Sequence, residues 1–428
     1  MAKRRPSATF HQAVVFLATA WTVAFWLFLL DSNLFSHRDR FQESDFIMTF
    51  YVAGHLVAHD RSADLYPQAD LQSFADTPFD KAAHALLPHL PKNSTGAYMY
   101  TPLVAAFFAP FSYVNPNLAL FFWQALSVLA LGLCCHMLSR TTGIKTSELF
   151  FLSFLFLPIF LTLWAGQLGL VFGLLPLCFG FMLLLRQMPL AAGLAWSLLI
   201  LKPQFLLVGV FVAIVSALRQ RYRALIGLVL GIAALIALTI AMFSLPVTLQ
   251  WLASHRVSDA YFFAGKQGIP AHLLTGLPAN ILVLLPIDQR SGLKLPLYAA
   301  AAAMWLFGIW FCSRLSKLRL DESQQISSTL VIGLSLASLT SPHLLYYDLC
   351  LLLPAGALLI AKKGPFAGQK NFRFIAGAGW LIVSVFLPIL LAFTEQKILP
   401  LVLEVILLAL FITLLLLWSR LQTFTARA

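Results

Sequence analysis

Residues 190–218 read LAAGLAWSLLILKPQFLLVGVFVAIVSAL, and two structures compete for them. As one kinked helix, the stretch crosses a bilayer once and carries Arg219, Arg221 and Arg223 to the outer side. Broken at Lys202-Pro203 into 190–201 and 204–218, it returns to its starting face and keeps those arginines, and every later basic cluster, inside. Proline biases the residue before it away from helical geometry, and basic clusters belong on the cytoplasmic side. The hairpin is therefore expected. Arms of about ten to fifteen residues, at about 1.5 Å each, cover about 15–22 Å of a roughly 30 Å hydrocarbon core. The break at Lys202 must then lie below the outer surface and line a cavity rather than face lipid.

The rest of the chain supports a membrane setting. It has 428 residues, 60% hydrophobic and only 11% charged, with a mean hydropathy of +0.84. Soluble domains average about 45–50% apolar and about 25% charged, so soluble enzymes and nucleic-acid modules are excluded. Apolar runs of about 20 residues recur, the signature of spanning helices rather than of barrel strands. The expected fold is an all-α polytopic membrane protein of about twelve transmembrane helices, with both termini cytoplasmic. The spans fall at 10–30, 118–138, 148–165, 168–185, the two hairpin arms, 223–243, 295–313, 325–341, 344–361, 373–393 and 398–418. A basic start followed by the long apolar run 10–30 reads as an uncleaved first helix. In this topology 18 of the 29 lysines and arginines lie in short cytoplasmic segments, against Glu148, Asp321 and Glu322 among the acids. The net charge of +12 is thus the positive-inside rule at work, not a nucleic-acid surface. All five cysteines fall within apolar spans, so no disulfide framework is expected outside.

Residues 1–428 read as a single transmembrane domain with two large extracytoplasmic loops, 31–114 and 244–294. Within the first, 101–114 is apolar but too short to span, and is expected as an interfacial or re-entrant helix. The second carries a smaller apolar piece at 272–286. The working face is then extracytoplasmic.

Several residues there could carry chemistry. Asp45 opens an amphipathic stretch behind Ser44, a good N-cap, so the macrodipole would keep its carboxylate ionised. Such a group could act as a general base on a hydroxyl, or could simply start a helix. Lys202 places a cation inside a span, where function is the default reading, and an ammonium there could grip a phosphate; snorkelling to the interface is the alternative. His343, Tyr346, Tyr347 and Asp348 cluster in SPHLLYYDL, as belt anchors and a helix cap or as a phosphate-facing set. Tyr98, Tyr100 and Gln167 are candidate pocket-liners. His55 and His59 stand at metal-compatible spacing beside Asp60, but a third ligand is not evident, so no metal is expected. Glu404, in the last span, suggests a buried partner rather than catalysis. Neither a phosphate-cradling glycine loop nor a G-x-S-x-G elbow occurs, which argues against ATPases and serine hydrolases.

In order along the chain, Asp45 with Tyr51 and Leu65-Tyr66, then Tyr98-Met99-Tyr100-Thr101-Pro102-Leu103, Gly166-Gln167, Leu201-Lys202-Pro203-Gln204 and Ser341-Pro342-His343 with Tyr347-Asp348 form a familiar series. It resembles glycosyltransferase family 87, the polyprenyl-phosphate-mannose-dependent mannosyltransferases of the GT-C superfamily. Thr101 stands where that family usually has a proline, and Leu168-Gly169 replace its usual apolar-asparagine pair. The resemblance implies a GT-C-type fold in a bacterial plasma membrane, with the site on the extracytoplasmic face. It implies inverting transfer of a sugar, mannose in that family, from a polyprenyl-phosphate donor to a glycolipid or glycan acceptor without a cofactor. Asp45 would be the catalytic aspartate, with Lys202, His343, Gln204 and Tyr347 toward the donor phosphate. Tyr51, Tyr98, Tyr100, Gln167, Arg256 and Asp348 are the remaining pocket and acceptor candidates. A twelve-span secondary transporter is the rival from another class, suited by the broken helix but not by the roughly seventy outer residues at 31–100 or by the scarcity of intramembrane acids. A flippase or ligase of lipid-linked glycans stays open as a third reading.

Overall fold

The computed structural model describes residues 44–67, 77–88, 90, 97–263, 274–315, 321–364, 366–367, 369–386 and 398–425, with isolated positions between 16 and 27. Most of the expected first span, 10–30, lies outside the described residues. The described chain is helical apart from one short antiparallel pairing of Leu274–Thr275 with Leu344–Leu345. Among the described residues, four helices are long and apolar enough to cross a membrane: Pro116–Thr142, Arg223–Ser254, Asp288–Arg314 and Pro400–Ser419. Thr146–Phe154 and Leu157–Trp164 make a fifth if the pair, bent by 74°, counts as one span. With the composition, this makes the chain a membrane protein. Gly169–Leu185, Pro189–Leu201, Pro203–Leu218 and Tyr346–Leu359, each expected as a span, are apolar but shorter than a full crossing.

The bend between Thr146–Phe154 and Leu157–Trp164 frees backbone groups that lipid could not satisfy. Trp380 Nε1 donates to the Leu155 carbonyl (2.9 Å) and Ser384 Oγ accepts from Leu157 N (3.2 Å), so a neighbouring helix takes up both.

The decisive stretch folds as a hairpin. Pro189–Leu201 and Pro203–Leu218 meet at Lys202, whose backbone (φ −132°, ψ 78°) is not helical. Glycines show the direction of each arm. A Cβ on Gly227 would lie 2.2 Å from the Leu190 carbonyl oxygen, one on Gly193 2.0 Å from that of Ala224, and one on Gly231 2.2 Å from Ser197 Oγ. Residues 190–197 therefore run parallel to 224–231 at backbone contact, the close approach that small residues allow between membrane helices. The 203–218 arm joins residue 223 through a tight turn, so it runs the opposite way. Gln187 Nε2 donates to Glu322 Oε1 (2.7 Å) and Arg221 pairs with the same carboxylate, which brings both hairpin feet to one pole.

The other basic turns gather in the same way. The Lys362 and Lys363 amides donate to the Thr142 carbonyl (2.8 and 3.0 Å), Lys362 Nζ pairs with Glu148 (3.1 Å), and Arg219 donates to the Cys312 carbonyl (2.6 Å). Three of the outward runs from this basic pole end at Gln167, at Lys202 and at Ser341–Asp348.

Glu322–Thr340 is the axis. Asp321 and Gln324 form a reciprocal capping box at its start, and beyond Gln325 nearly every side chain is buried. Most of its hydroxyls are absorbed locally, as where Ser328 and Thr340 donate back to Gln324 and Leu336 (2.6 and 2.7 Å). That explains how a helix too polar to face lipid sits at the centre. In the second loop, Arg223–Phe263 continues past the expected boundary at 243. Ser244 (φ 73°, ψ 162°) kinks it, and Pro246 is tolerated because it opens the next helical run, where its missing N–H costs little.

Candidate active site

Asp45 immediately precedes Phe46–Ala58, with Ser44 Oγ accepting from Ile47 N (3.3 Å) at the helix start. Phe46–Tyr51 is π-helical, a distortion frequent at functional sites. The Phe46 amide donates to the Ala165 carbonyl (3.0 Å). This docks the helix start on the turn that ends at Gln167. Gly166 makes that approach possible. It has φ +64°, and a Cβ there would lie 2.5 Å from Phe46 Cβ and 2.7 Å from Leu120 Cδ1. Two side chains of Pro116–Thr142 hold the same turn, Trp123 Nε1 on the Gly166 carbonyl (2.8 Å) and Gln124 Nε2 on that of Leu163 (3.0 Å). The sequence reading passed over both, although a glutamine inside an apolar span was a signal.

These contacts build one polar cluster within an apolar surround. Gln167 Nε2 donates to Asp45 Oδ2 at 2.6 Å, and the Tyr347 hydroxyl donates to the same carboxylate. Gln167 Oε1 in turn accepts from Lys202 Nζ at 3.2 Å. Lys202 Nζ also donates to Tyr100 Oη (3.3 Å) and pairs with Asp348 Oδ1 (2.8 Å). The ammonium thus makes two hydrogen bonds and one ion pair, and the Tyr100 and Tyr347 ring centroids stand 5.4 and 5.5 Å away. The ammonium has no exposed surface, so it does not snorkel. Asp348 does two jobs, since its Oδ2 accepts from Leu345 N (3.1 Å) and caps the turn that presents Tyr347. Of the three charged members, Lys202 and Asp348 are sealed, whereas Asp45 keeps part of its surface open.

The other candidates have supporting places. The Tyr51 hydroxyl is spent on the Val114 carbonyl (2.9 Å) and Tyr98 on that of Thr101 (2.7 Å). Tyr66 donates to the Tyr100 carbonyl (2.6 Å), so the 98–101 strap that delivers Tyr100 is fixed at both ends. Gln204 Oε1 is buried without a hydrogen-bond partner among the described residues. His343 is half-buried, and both its desolvation and the Lys294 charge lower it to about 4, so at neutral pH it is an uncharged imidazole. The Arg256 side chain lies outside those described. Glu404 has the buried partner expected of it: Oε1 accepts from Gly276 N at 2.8 Å, and Gly276 packs against the Ser341 carbonyl. A cavity of about 520 Å³ is lined mostly by apolar side chains around Phe156, Leu353 and Phe411 and contains none of the cluster residues.

Asp45 departs from the expectation set by its helix start. Burial raises its carboxyl above the ordinary carboxylate range, with Gln167, Tyr347 and the Lys202 charge pulling the other way. A base benefits from such a rise, because proton-transfer efficiency peaks when its pKa approaches the working pH.

No curated protein and no solved structure is significantly similar to the chain. The model of glycosyltransferase family 87 matches residues 98–342, more than half of the sequence. Tyr100, Gln167 and Lys202 lie inside that match, while Asp45, Tyr347 and Asp348 lie outside it and join them only in space. The chain belongs to glycosyltransferase family 87 and is a membrane glycosyltransferase.

Proposed function

We propose that the protein transfers a sugar, mannose by family resemblance, from a polyprenyl-phosphate donor to an acceptor hydroxyl on a glycolipid or glycan, with inversion and with Asp45 as general base. The observation that carries this reading is the single buried cluster in which one amide, that of Gln167, links a partly open carboxylate to a sealed ammonium. Asp45 takes the acceptor proton as the hydroxyl oxygen attacks the anomeric carbon. The bond from that carbon to the phosphate oxygen breaks, and polyprenyl phosphate leaves with the electron pair. Lys202 stabilises the departing charge by exchanging its contact with Tyr100 for a phosphate oxygen, while Asp348 keeps it oriented. Charge-assisted hydrogen bonds of this kind are strong in a dry site. Neutral His343 and the unsatisfied Gln204 carbonyl oxygen are further candidates to contact the donor. A single displacement at one carboxylate inverts the anomeric centre.

The assay is label transfer from polyprenyl-phosphate-[14C]mannose in membranes that contain the native acceptor. Asp45→Asn should lower transfer by about 10²–10⁴-fold with expression intact; turnover near wild type removes Asp45 as base. In the active enzyme the acid limb of kcat/KM should lie above the ordinary carboxylate range, because activity is lost as pH falls through the raised Asp45 value. A limb inside that range would show that the donors around Asp45 outweigh burial.

The reading also places both termini and the basic pole in the cytoplasm of a bacterium, in a GT-C-type fold of about twelve spans. Position 220, in the turn between the second hairpin arm and Arg223, tests the sidedness. The five native cysteines are all buried, so Gln220→Cys supplies one accessible thiol. It should resist a membrane-impermeant maleimide added outside intact cells and react in inverted vesicles. Labelling from outside reverses the assignment.

A further inference from the structure

A second cavity, of about 360 Å³, opens at the basic pole between Pro116–Thr142 and Gly169–Leu185. It is lined by Leu133, Met137, Phe179 and Met182, with His136, Arg140 and Arg186 at its polar rim. Leu133 and Phe179 are 55% and 44% exposed, so the apolar floor faces whatever surrounds the bundle, which here is lipid. Arg140 Nη2 lies 3.4 Å from His136 Nε2, which orients one edge of the guanidinium and leaves its other donors free to meet a ligand.

The acids at this pole are already engaged. Glu148 pairs with Lys362, Glu322 pairs with Arg221, and Asp321 caps its own helix. Among the described residues neither Arg140 nor Arg186 meets a carboxylate. Two guanidiniums without acids, over an apolar groove between membrane helices, match an anionic headgroup whose chains lie along the groove. Guanidinium forks suit phosphate oxygens in particular.

We propose that this groove is a binding site for an anionic phospholipid, with the phosphate held by Arg140 and Arg186 and the acyl chains laid over Leu133 and Phe179. A zwitterionic headgroup fits less well, because its own cation would approach the two arginines. The site is at the opposite pole from the Lys202 cluster and does not depend on the transfer reaction.

The test uses the purified full-length chain, with native mass spectrometry to count retained lipid and thermal unfolding to report its effect. Phosphatidylglycerol should be retained and should raise the melting temperature, whereas phosphatidylcholine should do neither. The Arg140→Gln/Arg186→Gln pair should weaken phosphatidylglycerol binding by about thirtyfold, and Arg186→Gln alone by about fivefold. Both guanidinium positions are exposed, so the lipid-free melting temperature should not move. Lys145→Gln/Lys370→Gln removes the same charge from the same pole and should leave binding intact. The proposal fails if that control pair loses as much affinity, which would mean diffuse attraction to the pole. It fails equally if the arginine pair changes nothing. Inorganic phosphate that reproduces the melting shift would indicate a free-anion site and overturn the lipid assignment.

Discussion

Two lysine–carboxylate pairs sit at opposite poles of this molecule. Lys202 Nζ and Asp348 Oδ1 are 2.8 Å apart with side-chain exposures of 0% and 1%; Lys362 and Glu148 are 3.1 Å apart at 54% and 16%. The geometry is similar and the setting is not. At the exposed pair, water screens the attraction and takes over when a partner is lost, so such pairs contribute about 0–1 kcal/mol. At the buried pair both ions have been stripped of water, so each depends on the other and on the added donors and acceptors from Gln167, Tyr100 and Leu345. A desolvated, over-determined cluster of this kind suits chemistry in which charge must appear on a substrate without solvent rearrangement. The exposed pair fastens two helix ends.

Lys202→Met should break the comparison most severely. It leaves Asp348 buried without a counter-ion and should cost about 3–5 kcal/mol, read from chemical denaturation in detergent. If the proposed role holds, transfer should also fall about 10²–10³-fold. Lys202→Met/Asp348→Leu separates stability from chemistry, because removing both charges should recover most of the stability and none of the transfer. Recovery of transfer in the double variant would show that the pair is only architectural. Lys202→Arg keeps the charge in a larger, planar head and should fall between the two.

The hairpin was legible in the sequence because Lys202-Pro203 combines a helix breaker with a charge, and because the arginines at 219–223 weigh against the single-helix alternative. Asp45, Lys202, Gln167, Tyr100, Tyr347 and Asp348 were each visible as polar residues in apolar surroundings. That they share one cluster was not visible, since Asp45 and Gln167 are 122 positions apart and meet only through the turn at Gly166. Pairings that depend on shape escape a reading of composition and period. Trp123 and Gln124 on that turn, and Tyr66 on the Tyr100 strap, were missed as supports for this reason. Span lengths were also hidden. The short helices near the cluster look like crossings by hydropathy, but their ends sink toward it.

Gly166→Ala probes the link between turn and cluster. The new methyl meets Phe46 Cβ at 2.5 Å in a left-handed backbone, and no side-chain rotation can move that atom away. The cost should be about 1–3 kcal/mol. Because the displaced element carries Asp45, kcat should fall more than KM changes, and a loss confined to stability would mean that Asp45 holds its place without the turn.

Glu148→Gln sharpens the comparison from its weak side. It removes the charge but keeps the shape beside Lys362, which remains half in water. Lys362 also retains its backbone bond to Thr142, so the helix ends stay joined. The change should be within about 0.5 kcal/mol, with transfer equal to wild type. If the loss matched that of Lys202→Met, dehydration would not be what separates the two poles. The buried cluster would then owe its character to the number of its hydrogen bonds, and an exposed network with equally many should be as stable.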